Sequence, residues 1–351
     1  MTSCVFYLYG IGVNFSTDNE DFARYVEGSL QNFKVMDSDA NMPEESFTIQ
    51  IKVYFAKGKP VDNGEFKLGN GIYIKNDNEI NFDQGLFAGQ FVKERKSNKL
   101  WINGFAKQST TNKLKTLLKT ILIPKYSFHD MLFHQLYREL VLLPVFWILR
   151  HEKGKFLMHA SAISNDSGTY VFLGNDGVGK TTVAMNLLKE QGTTFYGDNF
   201  LLYDSNSIYP FVDTIRISKK DREAIEFYKA SELFTLVYSG RFRLHYNFDT
   251  KFIANPNMPT KYFVLKQGKE NKRQKLSGGQ FITYSFAIND YVKEFDKYGY
   301  INNLVFLFET NDSPSIANEV NSMFQLVNAK PCELLTLKKH NDLAELKSLL
   351  N

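Results

Sequence analysis

The sequence predicts a two-module protein: a smaller α+β module with an antiparallel sheet, then a layered α/β domain built around a phosphate loop. Three observations carry that expectation. Residues 46–55 alternate apolar and polar side chains with period two. Residues 170–192 run strand, glycine loop, helix. The chain beyond residue 151 mixes short apolar runs with helical stretches.

The elements follow in chain order. Thr17 and Glu20 read as a capping box that opens a helix through Phe22, Val26 and Leu30. "SFTIQIKVYF" places Phe47, Ile49, Ile51, Val53 and Phe55 on one face, the mark of a half-buried strand. "FKLGNGIYI" and "QFVKERKSNKLWING" set turn residues between apolar runs and read as hairpins. Helical stretches over 111–121 and 129–149 bridge to the second module, dividing the chain into residues 1–128 and 129–351. There "KFLMHASAIS", "TYVFLG", "TTFYGDNFLLY", "KYFVLK", "NLVFLFE" and "CELLTLK" read as strands, and "SIANEVNSMFQLV" as a helix. The one basic cluster, Lys266 to Lys275, has five positive residues in ten. It reads as a solvated loop or as a docking surface for an acidic partner.

Composition narrows the class. With 351 residues, 43% apolar content, 31 Phe and 19 Tyr, the chain has material for a large core and is not a low-complexity tail. A net charge of +4 is modest for this length and does not argue for a nucleic-acid partner. Cys4 and Cys332 stand at opposite ends, so they offer neither a disulfide framework nor metal spacing and read as buried thiols. The first basic residue is Arg24, so the start lacks the charged region of a secretory signal. The longest apolar run, "LVLLPVFWIL", has ten residues, contains Pro144 and reads as a buried helix too short to span a bilayer. A soluble, cytoplasmic chain without a membrane partner is expected.

The phosphate loop is the most specific motif. Gly174, Gly179, Lys180 and Thr181 satisfy G-x-x-x-x-G-K-[ST], with Asn175, Asp176, Gly177 and Val178 between them and Thr182 following. Glycines let the backbone curl so that N–H groups point at phosphate oxygens. Lys180 supplies a point charge for the outer phosphates, the Thr181 hydroxyl a magnesium ligand, and the helix start a positive dipole end. The β-rich "TYVFL" precedes the loop, and "TTVAMNLLKEQG" follows as an amphipathic helix closed by Gly192. A site for ATP with Mg²⁺ is expected.

The flanking segments, His159-Ala160-Ser161-Ala162, Gly197-Asp198-Asn199, and Tyr209-Pro210-Phe211 through Arg216, form an ordered set around the loop. Over roughly residues 130–351 that set resembles the kinase domain of HPr kinase/phosphorylase and its shorter relatives, whose core is shared with phosphoenolpyruvate carboxykinase. The resemblance implies an α/β P-loop kinase domain that transfers the γ-phosphoryl group of ATP to a hydroxyl, serine- or threonine-type, of a protein, peptide or small molecule. It implies Asp198 as the carboxylate that orients or deprotonates the acceptor and helps Thr181 hold the metal, and it sets His159 beside the loop, a candidate catalytic residue with Asp198 and Lys180. Read alone, His159 is a core histidine. Arg216 and Asn199 are candidate phosphate or substrate contacts; Arg241 and Arg243 are weaker ones. The family forms oligomers, so a homo-oligomer is implied, although the sequence shows no interface signature. Where HPr kinase has two adjacent aspartates this chain has Asp198-Asn199, and Asp204 is a distant substitute. The signature for HPr itself is missing, so neither the phosphorylase activity nor HPr carries over.

Two other readings compete. Glu309, ending "NLVFLFE" read as a strand, mimics the acidic strand end of an ordinary NTPase or switch. A nucleotide-binding pseudokinase is the non-enzymatic version.

Overall fold

The computed structural model describes residues 1–35, 46–55, 66–69, 71–94, 97–107, 128–198, 200–213, 215–217, 232–238, 241–246, 253–289, 299–308, 316–338 and 343–350. The predicted helix over 111–121 lies outside the described residues.

The first region contains β1 (Thr2–Leu8), β2 (Ile11–Thr17), α1 (Glu20–Ser29), β3 (Phe47–Tyr54), β4 (Phe66–Gly69), β5 (Ile72–Asn76), β6 (Glu79–Asp83), β7 (Phe87–Lys93) and β8 (Lys99–Ala106). They form one eight-stranded sheet in the order β1-β2-β3-β8-β7-β6-β5-β4. The sheet is mixed, which corrects the antiparallel expectation: β3 runs parallel to both β2 and β8. The crossover through α1 returns the chain in the same direction and makes β2 and β3 parallel, while β8 reaches β3 only after the antiparallel run β4 to β8; period-two alternation says nothing about strand direction. Alternation itself is preserved: Phe47, Ile49, Ile51 and Val53 are buried and the residues between them half-buried. The cap of α1 is Asn19, whose side chain accepts from the Phe22 N–H at 2.9 Å. Thr17 is committed to β2 by its pairings with Thr2 and Val53 and is not the cap.

A long helical stretch follows: α2 (Phe128–Tyr137), a π turn over Arg138–Leu142, and α3 (Leu143–Lys153). The widening comes just before Pro144, which brings no N–H to the ladder. The stretch is longer than its ten-residue apolar run, and His129–Lys153 is long and apolar enough by composition to cross a membrane. Its most apolar window is 83% buried inside the protein, so here it acts as a core helix. Leu136, Leu140, Val141, Ile148 and Leu149 are fully buried in the cluster that also holds Ile49, Ile51, Phe91 and Ile102 of the first sheet. Glu139, buried in the π turn, accepts from Gln135 and Tyr300, and burial raises its carboxyl above the ordinary range.

Next come β9 (Phe156–Met158), β10 (Ala160–Asn165), β11 (Gly168–Leu173), α4 (Lys180–Leu187), β12 (Thr194–Gly197), β13 (Leu201–Tyr203) and β14 (Ile208–Tyr209). They are followed by β15 (Ile215–Ile217), β16 (Glu232–Tyr238), β17 (Arg241–Tyr246), β18 (Lys261–Gln267), β19 (Lys272–Leu276) and α5 (Gly278–Ile288). The chain continues through α6 (Gly299–Asn302), α7 (Val305–Phe308), α8 (Ile316–Val327), β20 (Cys332–Leu337) and α9 (Leu343–Leu350). A six-stranded mixed sheet, β12-β10-β11-β18-β20-β19, forms the second layer, and the strands β11, β18 and β20 are parallel. Apolar side chains cover both its faces. Phe172, Phe263 and Leu335 pack with Val183 and Leu187 of α4, while Val171, Tyr262 and Leu334 pack with Phe281 of α5 and Leu326 of α8. That is the burial pattern of parallel strands between helical layers.

The described part of "NLVFLFE", residues 303–308, is not a strand. Its residues enter α7, and Leu304 and Leu307 pack with the first sheet; short apolar runs do not distinguish the two by periodicity. Helix α4 ends at Leu187, and Gly192 takes its left-handed turn (φ +79°) five residues later. Cys332 is buried and Cys4 half-buried; both are free thiols, pushed up by burial to about 11 and about 12.

The two sheets are joined through the Tyr209–Val212 segment. Tyr9, in the β1–β2 turn, donates its hydroxyl to the Pro210 carbonyl, and Asn32 Nδ2 donates to the Val212 carbonyl at 2.8 Å. Phe211 stacks on Phe33 and meets Phe146 edge-on.

Candidate functional site

Register brings the loop, the histidine segment and the acidic segment to one place. Ala160 of β10 pairs with Leu173 of β11, so His159 and Gly174 emerge side by side from two antiparallel strands. Ala162 of β10 pairs with Gly197 of β12, which sets Asp198 opposite Ser161. The crevice at the carboxyl ends of β11, β12 and β18 therefore collects Gly174–Thr181, Asp198, Ser161 and His159.

Two glycines are required by close approach. A Cβ on Gly174 (φ +157°) would stand 2.6 Å from Val178 Cγ1 and 2.9 Å from the Leu265 carbonyl oxygen. At Gly197 (φ +146°) it would stand 2.5 Å from the Phe211 carbonyl oxygen and 2.8 Å from that of Phe200. Both sites hold the backbone where no side chain fits. The Phe211 N–H donates to Tyr196 at 2.7 Å, so the Tyr209–Val212 segment also supports the strand leading to Asp198.

Lys180 is buried, and its Nζ donates to the carbonyls of Gly174 at 2.6 Å and Asn175 at 3.2 Å. Its ammonium is thus held across the mouth of the loop. Thr181 donates from Oγ1 to Asp198 Oδ2 at 2.7 Å, and Ser161 donates from Oγ to Asp198 Oδ1 at 2.6 Å. Asp198 and Ser161 are both buried. A carboxylate with a hydroxyl donor on each oxygen is fixed in orientation. Asn175, Asp176, Gly177 and Thr182 are exposed, and Val178 and Gly179 are partly buried. Gln267 Nε2 donates to the Gly177 carbonyl at 2.9 Å, bracing the tip of the loop from β18.

His159 is buried with Nε2 at 3.5 Å from Asp176 Oδ1 on the loop. Its backbone N–H donates to Asn289 Oδ1 at 3.1 Å, while Asn289 Nδ2 donates to the Leu157 carbonyl at 2.8 Å. Buried Asn289, at the end of α5, thus holds the break between β9 and β10 where His159 turns toward the loop.

The remaining candidates divide. Asp204 is not in the crevice: it accepts from Lys155 at 3.1 Å and from the Tyr209 hydroxyl, and closes its own turn. Arg216 lies on β15 opposite His245, and Arg241 and Arg243 on β17 opposite Tyr238 and Leu236. Asn199 and Glu309 lie outside the described residues. The strand that Glu309 was to end is α7, which removes the structural premise of that reading.

Sequence reasoning missed Ser161, Asn289 and Gln267 as parts of the site. Ser161 carried a readable signal, a polar residue inside an apolar strand next to His159. Asn289 and Gln267 carried none, since their partners lie 130 and 90 residues away.

The donors suit a hard cation: a threonine hydroxyl and a carboxylate share one hydrogen bond, and magnesium takes one or two carboxylates together with substrate phosphates. Among the described residues no group of three or more His, Cys, Asp and Glu gathers to form an all-protein metal cage. Compared with models of known protein families the chain matches none, and compared with curated proteins it also matches none.

Proposed function

We propose that the protein is an ATP-dependent phosphotransferase that moves the γ-phosphoryl group to a hydroxyl of a protein, peptide or small molecule. The observation that carries the reading is the pairing of Thr181 with Asp198 at 2.7 Å, directly beside Lys180 at the mouth of a glycine loop. A chance glycine-rich turn gives no reason for a buried carboxylate at that spot.

Each residue has a role. Lys180 exchanges the Gly174 and Asn175 carbonyls for phosphate oxygens when the nucleotide enters, and the loop N–H groups surround the same charge. Thr181 and Asp198 would hold Mg²⁺, which when bound neutralises charge on the phosphates. Ser161 donates to Asp198 Oδ1 and Thr181 to Oδ2, and Oδ2, on the side of Thr181 and the loop, is the oxygen that turns to the metal or takes a proton from the acceptor hydroxyl. His159 and Asp176 form a contact from the strand break to the loop, positioning its exposed tip.

The test is incubation of the purified protein with γ-labelled ATP, Mg²⁺ and a lysate of its own host, beside Lys180→Ala and Asp198→Asn. A labelled protein, peptide or metabolite that needs both residues is expected. Release of free phosphate alone identifies an NTPase or switch instead, and ATP binding with no product a pseudokinase.

A further inference from the structure

The basic run 266–275 spans the end of β18, a turn, and β19 at the edge of the second sheet. Strand β19 is terminal and pairs with β20 on one side. Lys266, Lys269, Lys272, Arg273 and Lys275 are all exposed. Arg273 is committed to buried Glu333, its Nη2 donating to Oε1 at 2.8 Å. Lys266, Lys269, Lys272 and Lys275 form no ion pair with any described residue. Two of these lysines, Lys272 and Lys275, therefore lie on a strand that is terminal among the described residues and whose outer N–H and C=O groups are a template for another strand, and Lys269 stands in the turn leading into it.

Register sets this edge near the phosphate loop. Lys266 pairs with Thr336 and Thr336 with Lys272, so the three strands are level there. At about 4.8 Å per strand, Lys272 lies about 10 Å from Lys266. The next residue along, Gln267, is the one that touches Gly177. A strand added outside β19 lies about 5 Å further out and so about 15 Å from Lys266, a distance that about five extended residues cover.

We propose that the outer edge of β19 docks an acidic, extended peptide segment of the phosphoryl acceptor by strand addition. The proposal rests on the phosphotransferase reading for the identity of the occupant. Lysines on the edge repel a second copy of the same strand and attract a carboxylate-bearing one, which gives discrimination as well as affinity. A peptide fits better than a nucleic acid. Residues 266–276 contain no aromatic side chain for base stacking, whereas the backbone row is matched by another backbone.

The experiment uses the full chain and three fluorescent decapeptides: alternating Glu and Val around one Ser, the same with Lys for Glu, and the acidic one with alternate backbone nitrogens methylated. Anisotropy is expected to show binding of the acidic peptide, at least tenfold weaker binding after N-methylation, and none of the Lys version. The double variant Lys272→Glu/Lys275→Glu should lose at least tenfold in affinity while its circular dichroism and Mg·ATP binding stay as in the wild type. Equal binding by the double variant, or no binding of the acidic peptide, overturns the proposal and leaves the lysines as guards against edge aggregation. So does a thymidine 20-mer that binds more tightly than the acidic peptide and depends on the same two lysines. The two readings are judged separately. Lys180→Ala should bind the peptide normally while transferring no phosphate; acceptors labelled equally by the double variant sink the docking and spare the transfer chemistry.

Discussion

The two large sheets differ in where they keep their polar groups. In the eight-stranded sheet and the helix beneath it, the buried polar side chains among the described residues are Thr17, Ser29, Asn81 and Glu139, and they are scattered. Around the six-stranded sheet, Thr169, Thr193, Ser285, Glu319 and Glu333 are buried at separate places, while His159, Ser161, Lys180, Asp198 and Asn289 are buried within one crevice. The first sheet packs by alternation on a shared aromatic and aliphatic core. The second is covered on both faces, so its strand ends are the place where backbone and polar side chains emerge together. A desolvated carboxylate and ammonium persist only with partners, and here the partners are the loop carbonyls and two hydroxyls. One region supplies rigidity, the other concentrates chemistry.

That contrast can be broken deliberately, and the largest effect belongs to the crevice. Asp198→Asn keeps shape but not charge, and single-turnover transfer should fall about 100- to 10,000-fold with nucleotide affinity little changed. Unchanged transfer would remove Asp198 from the chemistry. Leu136→Ala, in the first core, should cost about 2–5 kcal/mol by urea unfolding because the side chain is fully buried. If the crevice melts in the same transition, the two regions are one cooperative unit joined through Tyr9, Asn32 and the Tyr209–Val212 segment. Ser161→Ala removes one of the two hydroxyl donors to Asp198, about 1.5–3 kcal/mol for a bond to a charged group. Transfer should slow tenfold or more with nucleotide affinity held, and Ser161→Thr should restore part of it; a loss confined to stability would make the serine structural.

The smallest effect is a pH dependence on the packing side. His151 stacks on Trp147 with ring centroids 4.0 Å apart, and burial, aided by Arg150, lowers its pKa from 6.5 to about 4. The folded chain keeps the ring neutral while the unfolded chain protonates it near 6.5, so stability is full above that pH and declines as pH falls toward 4. His151→Phe should flatten the slope of unfolding midpoint against pH in that window. An unaltered slope assigns it to other groups.

Much of this was legible in the sequence, for reasons that differ by element. β3 announced itself by period two, and the loop by glycine spacing followed by Lys180 and Thr181, because both signals are local. Asp198 was found by its place after the next strand. Direction of pairing was not legible: β2 runs parallel to β3 through a crossover over α1, β8 joins β3 only after four intervening strands, and local alternation is the same either way. "NLVFLFE" misled because a short apolar run fits a buried helix as well as a strand. Asn289 and Gln267 were invisible because sequence distance hides partners that tertiary folding supplies.

The central claim is that Gly174–Thr181 and Asp198 make one site for a magnesium-bound nucleotide. Isothermal titration of the wild type, Lys180→Ala and Thr181→Ala with a non-hydrolysable ATP analogue, with and without Mg²⁺, tests it most directly. One site per chain is predicted, with affinity lost in Lys180→Ala and with its magnesium dependence lost in Thr181→Ala. Binding that ignores both substitutions, or no binding by the folded wild type, would contradict the account.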